Sequence, residues 1–188
     1  MEVPTFSGIA ASCAQVAAPA MDAIRQYTGE LYSETVEFEE AGAAPTRPGF
    51  TEKVCLANYS DSSVSTQPES GNPPLRRTFH LQIALRLGDD AISAAGRHID
   101  KACENFDECD FNSEIADESF DGSAFTSSNT AITMFRVRNA IISVSVDGAD
   151  ASSQPGEASQ DPEISALAPG ARVVAEAMAG DTAAFLVS

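Results

Sequence analysis

The segment NTAITMFRVRNAIISVSVDG (residues 129–148) predicts a β-hairpin, and it constrains the fold more than any other part of the chain. Arg138 and Asn139 stand where a two-residue turn would close the hairpin. This turn predicts four cross-strand pairs: Val137 with Ala140, Phe135 with Ile142, Thr133 with Val144, and Ala131 with Val146. Because this register places a mainly apolar set on one face, the sequence predicts that this face lies against a hydrophobic core.

The segment TFHLQIALRL (residues 78–87) is the clearest single strand in the sequence. Apolar residues occupy every second position: Phe79, Leu81, Ile83, Leu85 and Leu87. The side chains of His80, Gln82 and Arg86 fall on the opposite face. Such alternation is typical of an antiparallel strand with one buried and one solvated face.

Helical periodicity appears on both sides of this strand. Residues 12–28 predict a helix that Pro19 kinks and Gly29 ends. Residues 88–106 change to a period of 3.6, with Asp89 expected as the N-cap. The inner stripe of this second helix is expected to be Ile92, Ala95, Ile99, Ala102, Cys103 and Phe106. Its outer face is expected to carry Arg97, His98, Lys101 and Glu104.

A third helix is predicted near the C-terminus, with Asp161 as its N-cap and Pro162 as its first residue. Its inner face is expected to carry Ile164, Leu167, Val174 and Met178. The dipeptide Pro169-Gly170 could divide this helix in two, because both residues are poor helix formers.

With further strands expected at residues 34–40 and 50–60, the elements follow the order α-β-β-β-α-β-β-α. Blocks of alternating strands with helices between them are typical of the α+β class. We therefore expect an antiparallel sheet of about five to six strands with helices packed on one face. Residues 1–188 are expected to form a single domain, with flexible loops near residues 61–74 and 149–160.

Four cysteines bear on the compartment in which the chain resides. Their spacing lacks the CxxC pairs that are typical of zinc and redox sites. Of the three connectivities that four cysteines allow, we favour Cys103–Cys109, because the chain can fold back within one loop after the helix. That pairing leaves Cys13–Cys55 as the second disulfide. Four buried free thiols in a cytosolic protein are the main alternative.

The chain is strongly acidic, with 28 Asp and Glu against 11 Lys and Arg and a formal net charge of −17 at pH 7. This excess repels nucleic acid and anionic membrane surfaces, so no nucleic-acid partner is expected. Residues 107–121 are the most acidic stretch and predict an irregular, solvated loop. Because their spacing matches no EF-hand loop, no metal site is predicted, although a cation bound there stays an open alternative. No run of apolar residues reaches the length of a transmembrane helix.

No catalytic residue is predicted. His80 is expected on the solvated face of its strand and His98 on the outer face of its helix, and neither lies in a GxSxG motif. Since the sequence also lacks a glycine-rich phosphate loop, no cofactor is expected. The polar strand face formed by His80, Gln82 and Arg86 instead predicts a shallow groove for a small or anionic ligand. The alternative is that this face is merely the solvent side of the sheet.

The second half of the chain contains a GDD-opened helix that ends in a cysteine, the segment DGSAF, the hairpin and a proline-started C-terminal helix. This pattern resembles actinobacterial cell-envelope lipoproteins of unassigned function and the extracellular sensor domain of PknH-type receptor kinases, over roughly residues 78–180. The resemblance implies an exported α+β sandwich, often with two disulfides, that carries no catalytic residues. The sequence departs from this family in lacking a lipobox cysteine and tryptophan, and in its longer acidic loops.

Together with the residues, this resemblance implies a non-catalytic, extracytoplasmic ligand-binding or sensory domain of the bacterial cell envelope. The alternative is a protein–protein interaction subunit of a surface or secretion assembly. The expected partner is an unknown small ligand or an envelope protein. The N-terminus lacks the basic and apolar regions of a signal peptide, which leaves two alternatives: a cytosolic chain, or one whose anchor or signal is missing from this sequence. Because the cysteines favour disulfides, the chain is expected at the cell surface, anchored by such a missing segment.

Overall fold

The computed structural model describes residues 4–31, 37–41, 47–60, 74–112, 114–125, 128–152 and 159–187. Its strands are β1 (Gly8–Ile9), β2 (Glu39–Glu40), β3 (Phe50–Ser60), β4 (Pro74–Arg86), β5 (Glu108–Asn112), β6 (Glu118–Phe125), β7 (Asn129–Val137), β8 (Ala140–Asp150) and β9 (Leu186–Val187). Its helices are α1 (Cys13–Ala17), α2 (Met21–Thr28), α3 (Ala91–Cys103) and α4 (Ile164–Ala179).

Seven of the described strands form one antiparallel sheet in the order β2-β3-β4-β8-β7-β6-β5, while β1 and β9 pair with each other. The antiparallel sheet with helices is as predicted, but the predicted number of strands was too low. The predicted order of elements also differs, because the chain has short strands at both termini and two strands between α3 and the hairpin.

The predicted hairpin is confirmed as β7 and β8, with the same four cross-strand pairs that the sequence indicated. Arg138 and Asn139 form the turn, and Arg138 adopts a φ of +57°, in the left-handed region that a tight hairpin turn requires. In the neighbouring β4, Phe79, Leu81 and Leu85 are completely buried. The period-two pattern therefore identified the centre of the sheet correctly.

Helices cover both faces of the sheet, which corrects the expectation of helices on one face. α1, α2 and α4 pack over the face that carries Phe79, Phe135 and Ile142. α3 packs over the opposite face, where Ala95 and Ile99 contact a second apolar cluster. The sheet members of this second cluster are Ala84, Phe120, Ile132, Met134 and Ile141. Because successive strand residues point to opposite faces, the two clusters lie on opposite sides of one sheet.

The first predicted helix is present and is interrupted where proline stands. Ser12 caps it, because its Oγ accepts a hydrogen bond from the Gln15 backbone N–H at 3.3 Å and Gln15 Oε1 accepts one from the Ser12 backbone N–H at 2.8 Å. Pro19 lies in a 3-10 turn between α1 and α2. Gly29 follows α2 with a φ of +51°, as expected for the end of a helix.

The predicted helix starts need correction. The N-cap of α3 is Asp90 rather than Asp89, and that of α4 is Glu163 rather than Asp161, with no side-chain capping bond at either. Without such a bond, the sequence has no local signal that selects one acidic residue over its neighbour.

α4 also continues through Pro169 and Gly170, so the predicted division of this helix was wrong. Its buried side chains are Leu167, Ala171, Val174, Ala175 and Met178. Gly170 lets α4 approach the ring of Tyr27, since a Cβ there would stand 2.5 Å from that ring. Burial of this face outweighs the local cost of about 3 kcal/mol for proline and about 1 kcal/mol for glycine.

The acidic segment 107–121 is largely strand, which corrects the expectation of an irregular loop. β5 and β6 pair in register from Glu108 with Ser123 to Asn112 with Ser119. Cations from neighbouring elements form ion pairs with four of its acids: Arg136 with Asp117 and Glu118, and Arg172 with Glu114 and Asp121. The strands therefore depend on partners that are remote in sequence, which local periodicity does not reveal.

The two predicted loops lie partly outside the described residues, at 61–73 and 153–158. Both loops were predicted to be too long, because β4 already begins at Pro74 and residues 149–150 still belong to β8. Of the strand predicted at 34–40, only the last two residues form β2, and its first three lie outside the described part.

Both predicted disulfides are formed. Cys13 in α1 bonds to Cys55 in β3, with a Cα–Cα distance of 5.4 Å. Cys103 at the end of α3 bonds to Cys109 in β5, with a Cα–Cα distance of 5.6 Å. The first bridge fastens a helix to one face of the sheet, and the second fastens the edge strand to the helix on the other face.

Asn139 joins the N-terminal segment to the sheet. Its side chain is completely buried, and its Oδ1 accepts from the Phe6 backbone N–H at 2.8 Å. Its Nδ2 donates to the backbone carbonyls of Phe6 at 2.9 Å and of Arg86 at 2.7 Å. A residue predicted only as a turn position thus satisfies three backbone groups.

Replacing Asn139 with alanine should lower the free energy of unfolding by about 2–3 kcal/mol, because buried backbone groups would lose their partners. Urea unfolding monitored by circular dichroism measures this change. Asn105→Ala is the matched control, because Asn105 is exposed and donates only to the Lys101 carbonyl. Equal effects of the two substitutions would contradict the bridging role of Asn139.

Candidate functional site

An open cleft of about 450 Å³ lies between α3 and the end of β4. We call it the α3–β4 cleft. Its polar lining consists of Arg86, Arg97, His98, Lys101 and Asn105, and two alanines of α3 complete the wall. None of these lining residues is acidic, although the chain as a whole carries a net charge of −17.

Arg86 forms the floor of the α3–β4 cleft at the point where β4 ends. Its guanidinium carbon lies 4.7 Å from the centre of the Phe50 ring, a cation–π contact. Arg86 Nη2 approaches His98 Nδ1 at 2.5 Å. Because arginine can only donate, Nδ1 of His98 must accept, which places the ring proton on Nε2 and keeps the imidazole neutral.

Arg86 forms no ion pair within the part of the chain that the structure describes. Its Nε is buried and has no hydrogen-bond partner among the described residues. Arg136 and Arg172, by contrast, each contact two or more carboxylates. Next to an open cleft, Arg86 therefore retains a positive charge and donor capacity that no carboxylate of the described residues pairs with.

His98 completes a stack on the same side of the cleft. Its ring lies 6.1 Å from that of Phe50 at an interplanar angle of 12°. Burial lowers the pKa of His98 below 6.5, the Arg86 charge lowers it further, and the Glu52 carboxylate partly opposes both. Since the folded state disfavours the imidazolium, the contribution of His98 to stability is complete above pH 6.5 and is lost as the pH falls.

Arg97 and Lys101 provide two more cations at the rim, one turn apart on the exposed side of α3. Arg97 Nη2 lies 2.5 Å from Asp90 Oδ2, and this hydrogen bond lowers the pKa of Asp90. Lys101 is exposed and has no ion-pair partner among the described residues. With Arg86, three of the chain's 11 Lys and Arg surround this one cleft.

The predicted ligand-binding residues do lie on one sheet face, but the structure does not group them in one site. His80 Nε2 lies 3.2 Å from Asp147 Oδ2 in β8. Gln82 donates to Glu52 Oε2 in β3 at 3.0 Å. Both are therefore engaged with acids on adjacent strands, and of the three only Arg86 lines the α3–β4 cleft.

Sequence reasoning missed His98 and the rim of α3 as partners of Arg86. It placed His98 on the outer face, whereas the structure shows it partly buried against Phe50. A usable signal was present, since Ile132 and Met134 make the supposedly solvated face of β7 apolar and so require a cover. With α3 on that face, its basic residues meet the end of β4.

A second charged cluster lies on the other side of the sheet and has a structural role. Arg172 of α4 contacts Asp121 at 2.6 Å, Glu176 at 2.9 Å and also Glu114. Thr133 donates to the other oxygen of Asp121 at 2.6 Å. Within the described ranges, no three His, Cys, Asp or Glu side chains are grouped as metal ligands would be.

Fold and cleft together define a disulfide-bonded domain with an antiparallel sheet between helices and a basic cleft in an acidic surface. Comparison with models of protein families found no match, and comparisons with curated proteins and with solved structures found none either. Among the described residues, no helix is long and apolar enough to cross a membrane.

Proposed function

We propose that this chain is a non-catalytic ligand-binding or sensory domain whose ligand is a small anion bound in the α3–β4 cleft. The observation that carries the proposal is the partly buried Arg86, which contacts a neutral imidazole and an aromatic ring rather than a carboxylate. In a chain with 28 acids, a cation that has no counterion among the described residues and lies beside an open cleft favours an anionic ligand.

The donors around the cleft suit an oxyanion such as sulfate, phosphate or a small carboxylate. Arg86 offers several N–H groups in one plane, which matches the oxygens of these anions. Lys101 adds a point charge, and Asn105 lies beside it on the wall. The acidic surface elsewhere repels anions, so the local positive field would concentrate them at this one place.

The same lining supports binding rather than catalysis. No Ser, Thr, Cys, Asp or Glu is among the lining residues, so a hydroxyl or thiol nucleophile and a carboxylate base are missing from the wall. His98 uses Nδ1 to accept from Arg86, which reduces its capacity as a base. All four cysteines are disulfide-bonded.

The two disulfides support an extracytoplasmic location, because such bonds persist in oxidising compartments and are rare in the cytosol. The resemblance to cell-envelope lipoproteins and to receptor-kinase sensor domains points to the same compartment. An anchoring segment outside this sequence would place the domain at the cell surface.

Sodium sulfate should bind saturably in isothermal titration calorimetry, measured against sodium chloride of equal ionic strength. Arg86→Met should weaken binding at least about tenfold, because it removes the central charged donor. Lys101→Gln, at an exposed position, should weaken it about two- to fivefold.

Arg25→Gln is the matched control, since it removes the same charge from α2 on the other side of the sheet, and it should leave the affinity within about twofold. Phosphate and citrate in the same assay rank the anion classes. No saturable binding, or equal binding by wild type and Arg86→Met with a folded far-ultraviolet spectrum, would refute the proposal.

The alternative function, an interaction subunit of a larger assembly, is favoured by one specific feature. β5 lies at the end of the sheet, and its outer edge pairs with no other strand in the described part of the chain.

A further inference from the structure

We propose that the outer edge of β5 is a docking site for an extended basic segment of another protein, in which cationic and apolar residues alternate. This inference uses a surface separate from the α3–β4 cleft and does not depend on anion binding there. Such docking extends the sheet by one strand, with backbone hydrogen bonds for affinity and alternate side chains for specificity.

The first requirement, a regular edge that is held in place, is met by β5. All five of its residues pair in register with β6. The Cys103–Cys109 disulfide fastens the strand to α3, and Asp107 Oδ2 accepts from the Phe125 backbone N–H at 2.8 Å just before the strand begins. The edge is therefore pre-organised, which lowers the entropic cost of binding a partner strand.

The second requirement is an apolar contact on the edge. Phe111 is 51% exposed, the most exposed of the large apolar residues that the structure describes. Its ring lies 5.8 Å from that of Phe120, which in turn lies 5.7 Å from Phe106. A docked apolar side chain on this face would extend an existing aromatic cluster rather than contact one isolated ring.

The charge of the edge decides what kind of partner fits. From position 104 to 125 the chain contains no Lys or Arg. Asp107, Glu108 and Asp110 form no ion pair with any described residue, unlike the acids farther along the segment that contact Arg136 and Arg172. Ser123 Oγ donates to Glu108 and the Phe125 N–H to Asp107, but no described cation neutralises these three carboxylates, so they favour a cationic partner.

The alternation of β5 sets the pattern of that partner. Cys109 and Phe111 point to the face that α3 covers, and Glu108 and Asp110 point to the opposite face. A paired strand would place its own side chains beside these, so cations at every second position would meet the acids. The residues between the cations would be apolar and would lie next to Phe111.

A second copy of this chain does not fit the edge. In antiparallel pairing of β5 with itself, centred on Cys109, Glu108 of each copy would lie opposite Asp110 of the other, and like charges on adjacent strands are destabilising. Exposed charges of one sign are a common protection of sheet edges against self-association. They act here against a second copy and in favour of a basic strand.

The test uses a capped seven-residue peptide that alternates lysine and valine, added to isotope-labelled protein and followed by NMR. Saturable shift changes confined to β5, its neighbours in β6 and the Phe111 ring are expected. Asp110→Lys should weaken the affinity about tenfold, and Phe111→Ser about threefold. Both positions are exposed, so neither change should unfold the domain.

Asp22→Lys is the matched control, because it reverses the same charge on α2, where the side chain is 97% exposed, and the affinity should change less than twofold. A peptide that alternates glutamate and valine should not bind. The proposal is overturned if the lysine peptide does not bind, if shifts spread over the acidic surface with both charge reversals equally damaging, or if β5 shifts depend on protein concentration alone.

Discussion

Replacing Asp150 with alanine should lower the free energy of unfolding by about 3–5 kcal/mol, because it would leave Arg77 as a buried charge without a counterion. Arg77 Nη1 lies 2.7 Å from Asp150 Oδ1, and both residues are buried. The same nitrogen donates to the carbonyls of Arg76 at 2.8 Å and Ala149 at 3.3 Å. These carbonyls hold the guanidinium in place but do not offset its charge.

Arg77 and Asp150 lie close to Tyr27. Burial raises the pKa of Tyr27 above 10.0, and the nearby Arg77 opposes this effect only in part. Tyr27 therefore remains neutral near pH 7 and donates its hydroxyl to the Ala166 carbonyl at 2.8 Å. Loss of Asp150 would affect the contact between α2 and α4 as well as the end of β8.

A double-mutant cycle separates the cost of an orphaned charge from the value of the pair. The double variant Arg77→Met with Asp150→Leu should be less destabilised than the single variant Arg77→Met or the single variant Asp150→Leu, because no buried charge remains in it. Asp22→Ala, which breaks an exposed pair with Arg25, should leave stability nearly unchanged. A loss below about 1 kcal/mol for Asp150→Ala would contradict a buried, mutually dependent pair.

Removing the Cys13–Cys55 disulfide should cost about 4 kcal/mol, and removing Cys103–Cys109 only about 2 kcal/mol. The two bridges differ in sequence separation, 42 residues against 6, so the longer one restricts the unfolded chain more. Paired alanine substitutions, each followed by urea unfolding with its own m-value fitted, measure both effects.

The thiol count is the control for this comparison. Alkylation of the unreduced wild-type protein should label no cysteine, and each paired variant should label none either, since its remaining bridge is intact. If removal of the short bridge costs as much as removal of the long one, loop entropy is not the main source of stabilisation. Strand β5 would then depend on its disulfide for folding.

Much of the fold was predictable because its strongest signals are local. The hairpin register followed from apolar alternation on both sides of Arg138 and Asn139, and the structure reproduces each pair. The Cys103–Cys109 pairing followed from the expected end of the helix that carries Cys103, and the Cys13–Cys55 pairing followed by elimination. These inferences needed only residues close in sequence, or the elimination of alternatives.

The face on which α3 packs was not predictable from its own periodicity. A 3.6-residue pattern identifies the buried side of a helix but not the sheet face that it covers. Ile132, Met134 and Ile141 carried this information as apolar residues on the supposedly solvated face. The prediction of a loop at 107–121 was wrong for a related reason, because the strands of this segment depend on Arg136 and Arg172, which are remote in sequence.

The candidate site was only partly accessible to sequence reasoning. Arg86 was identified from the polar side of β4, but its association with His98 depends on how α3 turns back over the sheet. The polar ladder of His80 and Gln82 suggested a shared groove, whereas each contacts an acid on a neighbouring strand. Side chains on one face of a strand lie on the same side of the sheet, but whether they form one binding site depends on the residues that each of them contacts.

The pKa of His98, measured by NMR in sodium chloride and in sodium sulfate of equal ionic strength, shows whether an anion binds beside Arg86. We expect a pKa below 6.5 in chloride, because of burial and the Arg86 charge, and a higher pKa in sulfate. A bound anion would offset the Arg86 charge and favour the imidazolium. At fixed pH, the ring resonances of His80 should not respond to the exchange of salts. The same His98 pKa in both salts would contradict an anion site at Arg86.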